Sequence, residues 1–172
     1  MHGMALPIAP HQNGMAAIIV PQIRFSDRPL GMSTQMWYHH RLEKTLHLVI
    51  LREPYLSRIL SGQKRIESRF ARDRRPPFAR VNLGDILLLK RAGGPLVGLA
   101  LVKHVISRAL TPDVLDEIRY NYAADLAIDD DHFWERQTQK RFVTLVWIGE
   151  VCPLPPIPIP HRDRRGWVLI GQ

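Results

Sequence analysis

The sequence predicts an α+β chain that is mainly β: a small, partly closed β-barrel with two or three short helices at its rim. Three observations carry this. Five or six short stretches are apolar and rich in branched or long aliphatic residues, each bounded by turn residues. Turns, rather than regularly alternating helices, join most of them, which argues against a doubly wound sheet. Only a few segments carry helical spacing, and none has the ~20 apolar residues needed to span a bilayer.

Residues 1–44 differ from the rest. They hold Pro7, Pro10, Pro21 and Pro29 and all five methionines of the chain, and show no sustained period. Two readings stay open there: a poorly ordered tail, or an overextended start with the product beginning near Met32 or Met36. The domain proper is expected over 45–172.

Leu46 to Leu51 reads as a buried first strand. Pro54 suits the first turn of a helix, where its missing N–H costs nothing. Tyr55, Leu56, Ile59 and Leu60 then share one face, which turns inward, and Gly62 stops the helix. The chain extends again from Arg65 through Phe70. Arg69, Arg72, Arg74, Arg75 and Arg80 follow against the single acid Asp73, with Pro76 and Pro77 excluding a helix and Phe70 and Phe78 interleaved. Leu83-Gly84-Asp85 is a turn before the strand Ile86 to Lys90. Gly93-Gly94 supports a hairpin whose return strand runs from Leu96 to Val102. Gly98 within it marks a bulge or a close backbone approach.

Thr111-Pro112-Asp113 is a helix start, with a capping hydroxyl, a proline in the first turn and an acid near the N-terminus. Val114, Leu115 and Ile118 give its inner face. Asp129-Asp130-Asp131 caps a second short helix carrying Phe133 and Trp134; it lacks the spacing of a calcium loop. Phe142 to Ile148 is a strand. Five prolines in the eight residues 153–160 predict an extended connector outside any strand ladder. Gly166 to Ile170 closes the chain as a last strand.

Composition bounds the chemistry. The formal net charge of +8 suits a polyanionic partner, nucleic acid first. The lone Cys152 excludes an internal disulfide and a multi-cysteine zinc site, and its place at the end of an apolar run predicts a buried residue. Histidine spacing matches no ligand motif. The reading therefore includes no metal, no cofactor and no membrane, and a cytoplasmic protein.

Ser61 to Arg69 is the stretch with two meanings. In one, Gly62 ends a helix, Lys64 offers its charge to that helix's C-terminus, and Arg65, Glu67 and Arg69 form a solvated row on one strand face. In the other, Lys64, Glu67 and Arg69 face a ligand. Residues 67 and 69 lie roughly 6–7 Å apart along a regular strand, and a partly buried lysine has its pKa lowered toward that of a base.

Gly62-x-Lys64-x-x-Glu67-x-Arg69 resembles the G-x-K-x-x-E-x-R signature of the ASCH domain, a branch of the PUA-like superfamily. The likeness extends over roughly residues 46–170, through Gly84-Asp85, the Gly93-Gly94 hairpin and Gly166-Trp167. It implies a PUA-like barrel with a cleft beside the motif and a link to RNA or nucleotide chemistry. One branch of the family deacetylates N4-acetylcytidine with a lysine, a threonine and a distant glutamate. The lysine corresponds to Lys64, the threonine position holds Glu67, and Glu117 and Glu135 are the regional candidates for the glutamate.

The leading expectation is an RNA- or nucleotide-binding module. Lys64, Glu67 and Arg69 form its centre, and Arg72, Arg74, Arg75 and Arg80 add a phosphate grip. The alternatives are a hydrolase on RNA or a modified nucleoside, with Lys64 and Glu67 catalytic, and a protein-interaction adaptor whose partner is unknown.

Overall fold

The computed structural model describes residues 44–160 and 165–170, so the tail expected over 1–44 lies, up to residue 43, outside the described residues. The elements are β1 (Leu46–Leu51), α1 (Tyr55–Leu60), β2 (Ile66–Ala71), β3 (Ile86–Arg91), β4 (Leu96–Ala109), α2 (Pro112–Leu126), α3 (Asp131–Gln137), β5 (Phe142–Ile157) and β6 (Trp167–Ile170). The strands form one six-stranded sheet in the order β2-β5-β4-β3-β1-β6. β1 and β3 run parallel; the other neighbours are antiparallel. The sheet curls into a half-barrel, the mainly β architecture expected from the turn-linked strands.

Curling follows from the long β4–β5 pair. Its register shifts between Leu96 and Gly98, Ala100 and Val102, and Val102 and His104, and each irregularity bends the strand and increases its twist. Gly98 sits at one of them. A Cβ there would lie 3.0 Å from a Leu60 methyl and 3.3 Å from the Cys152 carbonyl oxygen, so the close approach and the bulge are both present.

Two expectations fail in this pair. β4 continues past Val102 to Ala109, and β5 continues past Ile148 to Ile157. Pro153, Pro155 and Pro156 are therefore within the strand, with Pro153 opposite Gly98 and Ile157 opposite Leu96, while Pro158 and Pro160 follow its end. β2 covers β5 only from Phe142 to Trp147. Beyond that point β5 is an edge strand among the described residues, where a proline's missing donor costs no ladder bond on the open side. Cys152 lies on this same edge and is exposed rather than buried.

The sheet's two faces carry separate apolar clusters. Inside the curl, Val49, Leu51, Leu87, Leu89, Val146 and Trp167 pack with Leu56 and Ile59 of α1. On the other face, Ile66, Val143 and Leu145 pack against Leu115, Ile118 and Leu126 of α2 and Trp134 of α3. α2 starts as expected: the Thr111 hydroxyl accepts from the Val114 N–H, and Pro112 and Asp113 fill the first turn. It ends at Ala127, in the left-handed conformation at φ 51°. Asp130 caps α3 through the His132 N–H. No helix among the described residues is long and apolar enough to cross a membrane.

Candidate nucleotide cleft

Gly62, at φ +77°, turns the chain out of α1, and the Lys64 N–H returns to the Arg58 carbonyl at 2.9 Å. β2 then alternates. Ile66 and Phe70 face α2 and α3, while Glu67 and Arg69 face the inside of the curl.

Burial decides against a solvated row. Glu67 is 6% exposed and Lys64 3%. The Lys64 ammonium lies 3.6 Å from Glu67 Oε2 and 5.3 Å from the centre of the Tyr55 ring. It donates to the Leu126 carbonyl at 2.9 Å. It thus serves the C-terminus of α2, not that of α1, and Arg58 binds the next carbonyl, Ala127; cations are favoured at this end of a helix. Burial pulls the Lys64 pKa below the ordinary lysine value, with the Glu67 carboxylate opposing that shift. Arg65, the outermost of the expected row, pairs with Asp125 at the surface.

Arg69 joins distant strands. Its Nε lies 3.0 Å from Glu67 Oε1, but off the direction of a hydrogen bond. Its Nη2 donates to the Ile50 carbonyl of β1 at 3.2 Å. Its guanidinium carbon stands 5.4 Å from the centre of a Trp167 ring. A Cβ on Gly166 would come within 2.7 Å of Nη1, so the absence of a side chain there makes the seat for the guanidinium.

Glu67 and Arg69 line a cleft of about 710 Å³ at the open side of the curl. Arg52, Lys90 and Arg165 add positive charge to its walls, Tyr55 and Ser68 add further polar groups, and among the described residues Glu67 is the one acid lining it. Lys90 is 5% exposed and donates to the Gly94 and Arg91 carbonyls, so the Gly93-Gly94 hairpin holds its ammonium in place. A concave site with mixed polar and apolar walls, several cations and a single carboxylate suits an anionic ligand that also carries a hydrogen-bond donor.

The sequence-predicted residues separate into groups. Lys64, Glu67 and Arg69 come together, but Lys64 stands behind Glu67 and does not line the cleft. Arg72, Arg74, Arg75 and Arg80 lie on the exposed loop after β2. Arg75 is held by Asp73, and Arg74 lies over the Phe78 and Phe142 rings. Phe70 packs edge-on to Phe133, and Phe78 to Phe142. Glu117 pairs with Arg108, and Glu135 with His132, both outside the cleft walls.

Sequence reading missed Lys90, Arg52 and Tyr55 as wall residues; Lys90, at the end of an apolar run, was the available signal. It also missed a buried polar knot. The Trp167 indole N–H donates to His47 Nδ1 at 3.2 Å. Nδ1 is therefore the acceptor, and Nε2 carries the hydrogen directed at Asp85 Oδ2, 3.0 Å away. Asp85 also accepts from the Asn82 N–H at 2.7 Å and the Thr45 N–H at 3.1 Å. A histidine within the apolar run Leu46 to Leu51 was the only hint.

The fold is a curled, mainly β half-barrel with a cationic cleft at its open side. The chain belongs to the ASCH domain family, whose model matches residues 49–151. Its structure is similar to that of an ASCH protein from Zymomonas mobilis, with a TM-score of 0.53 at 16% identity over 65% of this chain and 72% of that one. A serine-to-alanine variant of the same protein gives 0.53 at 15% identity over 67% and 75%. A tyrosine-to-phenylalanine variant gives 0.52 at 16% identity over 65% and 74%. At such identity the likeness speaks to the fold alone. No curated protein sequence matches the chain.

Proposed function

We propose that this chain is an RNA- or nucleotide-binding ASCH module. The observation that carries this reading is the cleft itself, with Arg52, Arg69, Lys90 and Arg165 around the buried carboxylate of Glu67. The cations take phosphate oxygens, and Glu67 accepts from a base amino group. Lys64 holds Glu67 from behind. Arg72, Arg74, Arg75 and Arg80 supply a sequence-independent grip on the backbone. A cytoplasmic location, with 1–44 as a tail outside the domain, fits this reading.

Binding of a labelled oligoribonucleotide, titrated with salt, tests it. Affinity is expected to fall steeply as salt rises. It should also fall at least tenfold when Lys90→Ala and Arg69→Ala are combined, which removes two charged contacts worth about 1.5–3 kcal/mol each. Absence of binding at low salt, or indifference to that double variant, refutes the reading.

A hydrolase on RNA or a modified nucleoside is the second reading, supported by the buried Lys64–Glu67 pair. Burial lowers the lysine's pKa, and Glu67 touches both Lys64 and the cleft, as an acid/base pair would. Turnover of RNA or N4-acetylcytidine that is abolished by Glu67→Gln, with ligand still bound, selects this reading over simple binding. A protein-interaction adaptor would instead yield a stable protein partner and no RNA on capture.

A further inference from the structure

Beside the cleft is a second hollow of about 120 Å³, and its walls are of a different kind. Phe78, Phe142 and Trp167 give it aromatic sides, with Pro76 and Pro77 beside them and Arg75 and Thr144 adding polar groups. Arg69 and Gly166 line both spaces. The divider between them is thus a guanidinium lying over a glycine, and the Arg69 side chain keeps 25% of its surface exposed.

We infer that the site takes a dinucleotide step of single-stranded RNA rather than a free mononucleotide. This rests on the nucleotide-binding reading above. One nucleotide occupies the cleft, with its base at Glu67. The base of its neighbour enters the aromatic hollow, and the phosphodiester joining the two lies over Arg69.

Three features carry this. The hollow is too small for a whole nucleotide, and its aromatic rings beside Arg75 and Thr144 suit a base, which has both a flat face and a polar edge. Arg69 points two nitrogens elsewhere, Nε toward Glu67 and Nη2 toward Ile50, while Nη1 lies over Gly166 between the two spaces. Nη1, the nitrogen that these two contacts leave over, is a charged donor placed where a bridging phosphate would lie. Arg72 and Arg80 are exposed on the loop that follows β2 and also carries Phe78, and would take the next phosphates.

The test compares binding of the common nucleoside 5′-monophosphates and the corresponding dinucleoside phosphates to the full chain, for wild type, Phe78→Ala and Phe78→Leu. Leucine keeps the apolar bulk of the wall and removes the ring face. Wild type is expected to bind the best dinucleotide roughly five- to a hundredfold more tightly than the best mononucleotide. Both variants should lose most of that gain and keep mononucleotide affinity, which also shows that they fold. Equal affinity for mono- and dinucleotide, or a gain that survives Phe78→Leu, overturns the inference and leaves nucleotide binding standing. No binding of any of these ligands at low salt overturns both.

Discussion

Arg69 of β2 stacks on Trp167 of β6, with 5.4 Å between the guanidinium carbon and a ring centre. β2 and β6 are the two ends of the six-stranded sheet. The contact therefore crosses the seam that the half-barrel leaves open, and the same guanidinium donates to the Ile50 carbonyl on β1. One side chain closes the barrel and walls the cleft.

Arg69→Ala should lower unfolding stability by about 1–3 kcal/mol, from the lost carbonyl bond, the ring contact and the uncovered Glu67. Arg69→Lys should recover less than half of that, because an ammonium cannot stack and fork at once. Urea unfolding midpoints measure both. A lysine variant as stable as wild type would show that charge alone closes the seam.

Gly166→Ala separates stability from binding. The added methyl meets the far end of a flexible side chain at 2.7 Å, so the fold should yield at less than about 1 kcal/mol. Arg69 must nevertheless leave its seat. Ligand affinity should then fall nearly as far as in Arg69→Ala, while the melting temperature stays close to wild type. Calorimetric titration beside thermal unfolding reads the two effects, and unchanged affinity would place the ligand away from Arg69.

Lys64 should leave a signature in the pH dependence of stability. Burial lowers its pKa in the folded chain, against about 10.4 when unfolded. Between those two values the unfolded state holds the proton and the folded state does not. Stability therefore rises with pH across that window, and the gain is lost as pH falls through the folded-state value. Wild type should gain on Lys64→Met as pH climbs from neutral toward about 10.4. Parallel stability curves for the two proteins would show that Lys64 is not desolvated.

Asp85 receives three hydrogen bonds, from His47, Asn82 and Thr45. Asp85→Ala strands these donors around a 2%-exposed position, and should cost about 3 kcal/mol or more. Asp85→Asn should cost nearly as much, since its amide N–H faces donors on one side. Chemical denaturation tests this, and a loss below about 1 kcal/mol for either variant would mean the knot is not holding β1 to the turn before β3.

The short-range features were open to reading in the sequence. Strand positions followed from apolar runs between turns, α2 from Thr111 and Pro112, and the end of α1 from Gly62. The prolines of β5 were misread because their tolerance depends on which neighbour is missing: β2 ends its pairing at Ile66 opposite Trp147, and only that makes the rest of β5 an edge. Cys152 was misplaced for the same reason.

Within the candidate site, the sequence by itself determined that Glu67 and Arg69 would share a strand face, because a two-residue alternation is local geometry; the direction of Lys64, at the turn before the strand, stayed open. Only the tertiary structure decided what each does. Lys64 turns away to the end of a helix some sixty residues on, Glu67 lies between two cations at the cleft wall, and Arg69 reaches a tryptophan about a hundred residues later. Such partners are set by how far the sheet curls, and that follows from register shifts along β4 and β5 rather than from any residue of the motif.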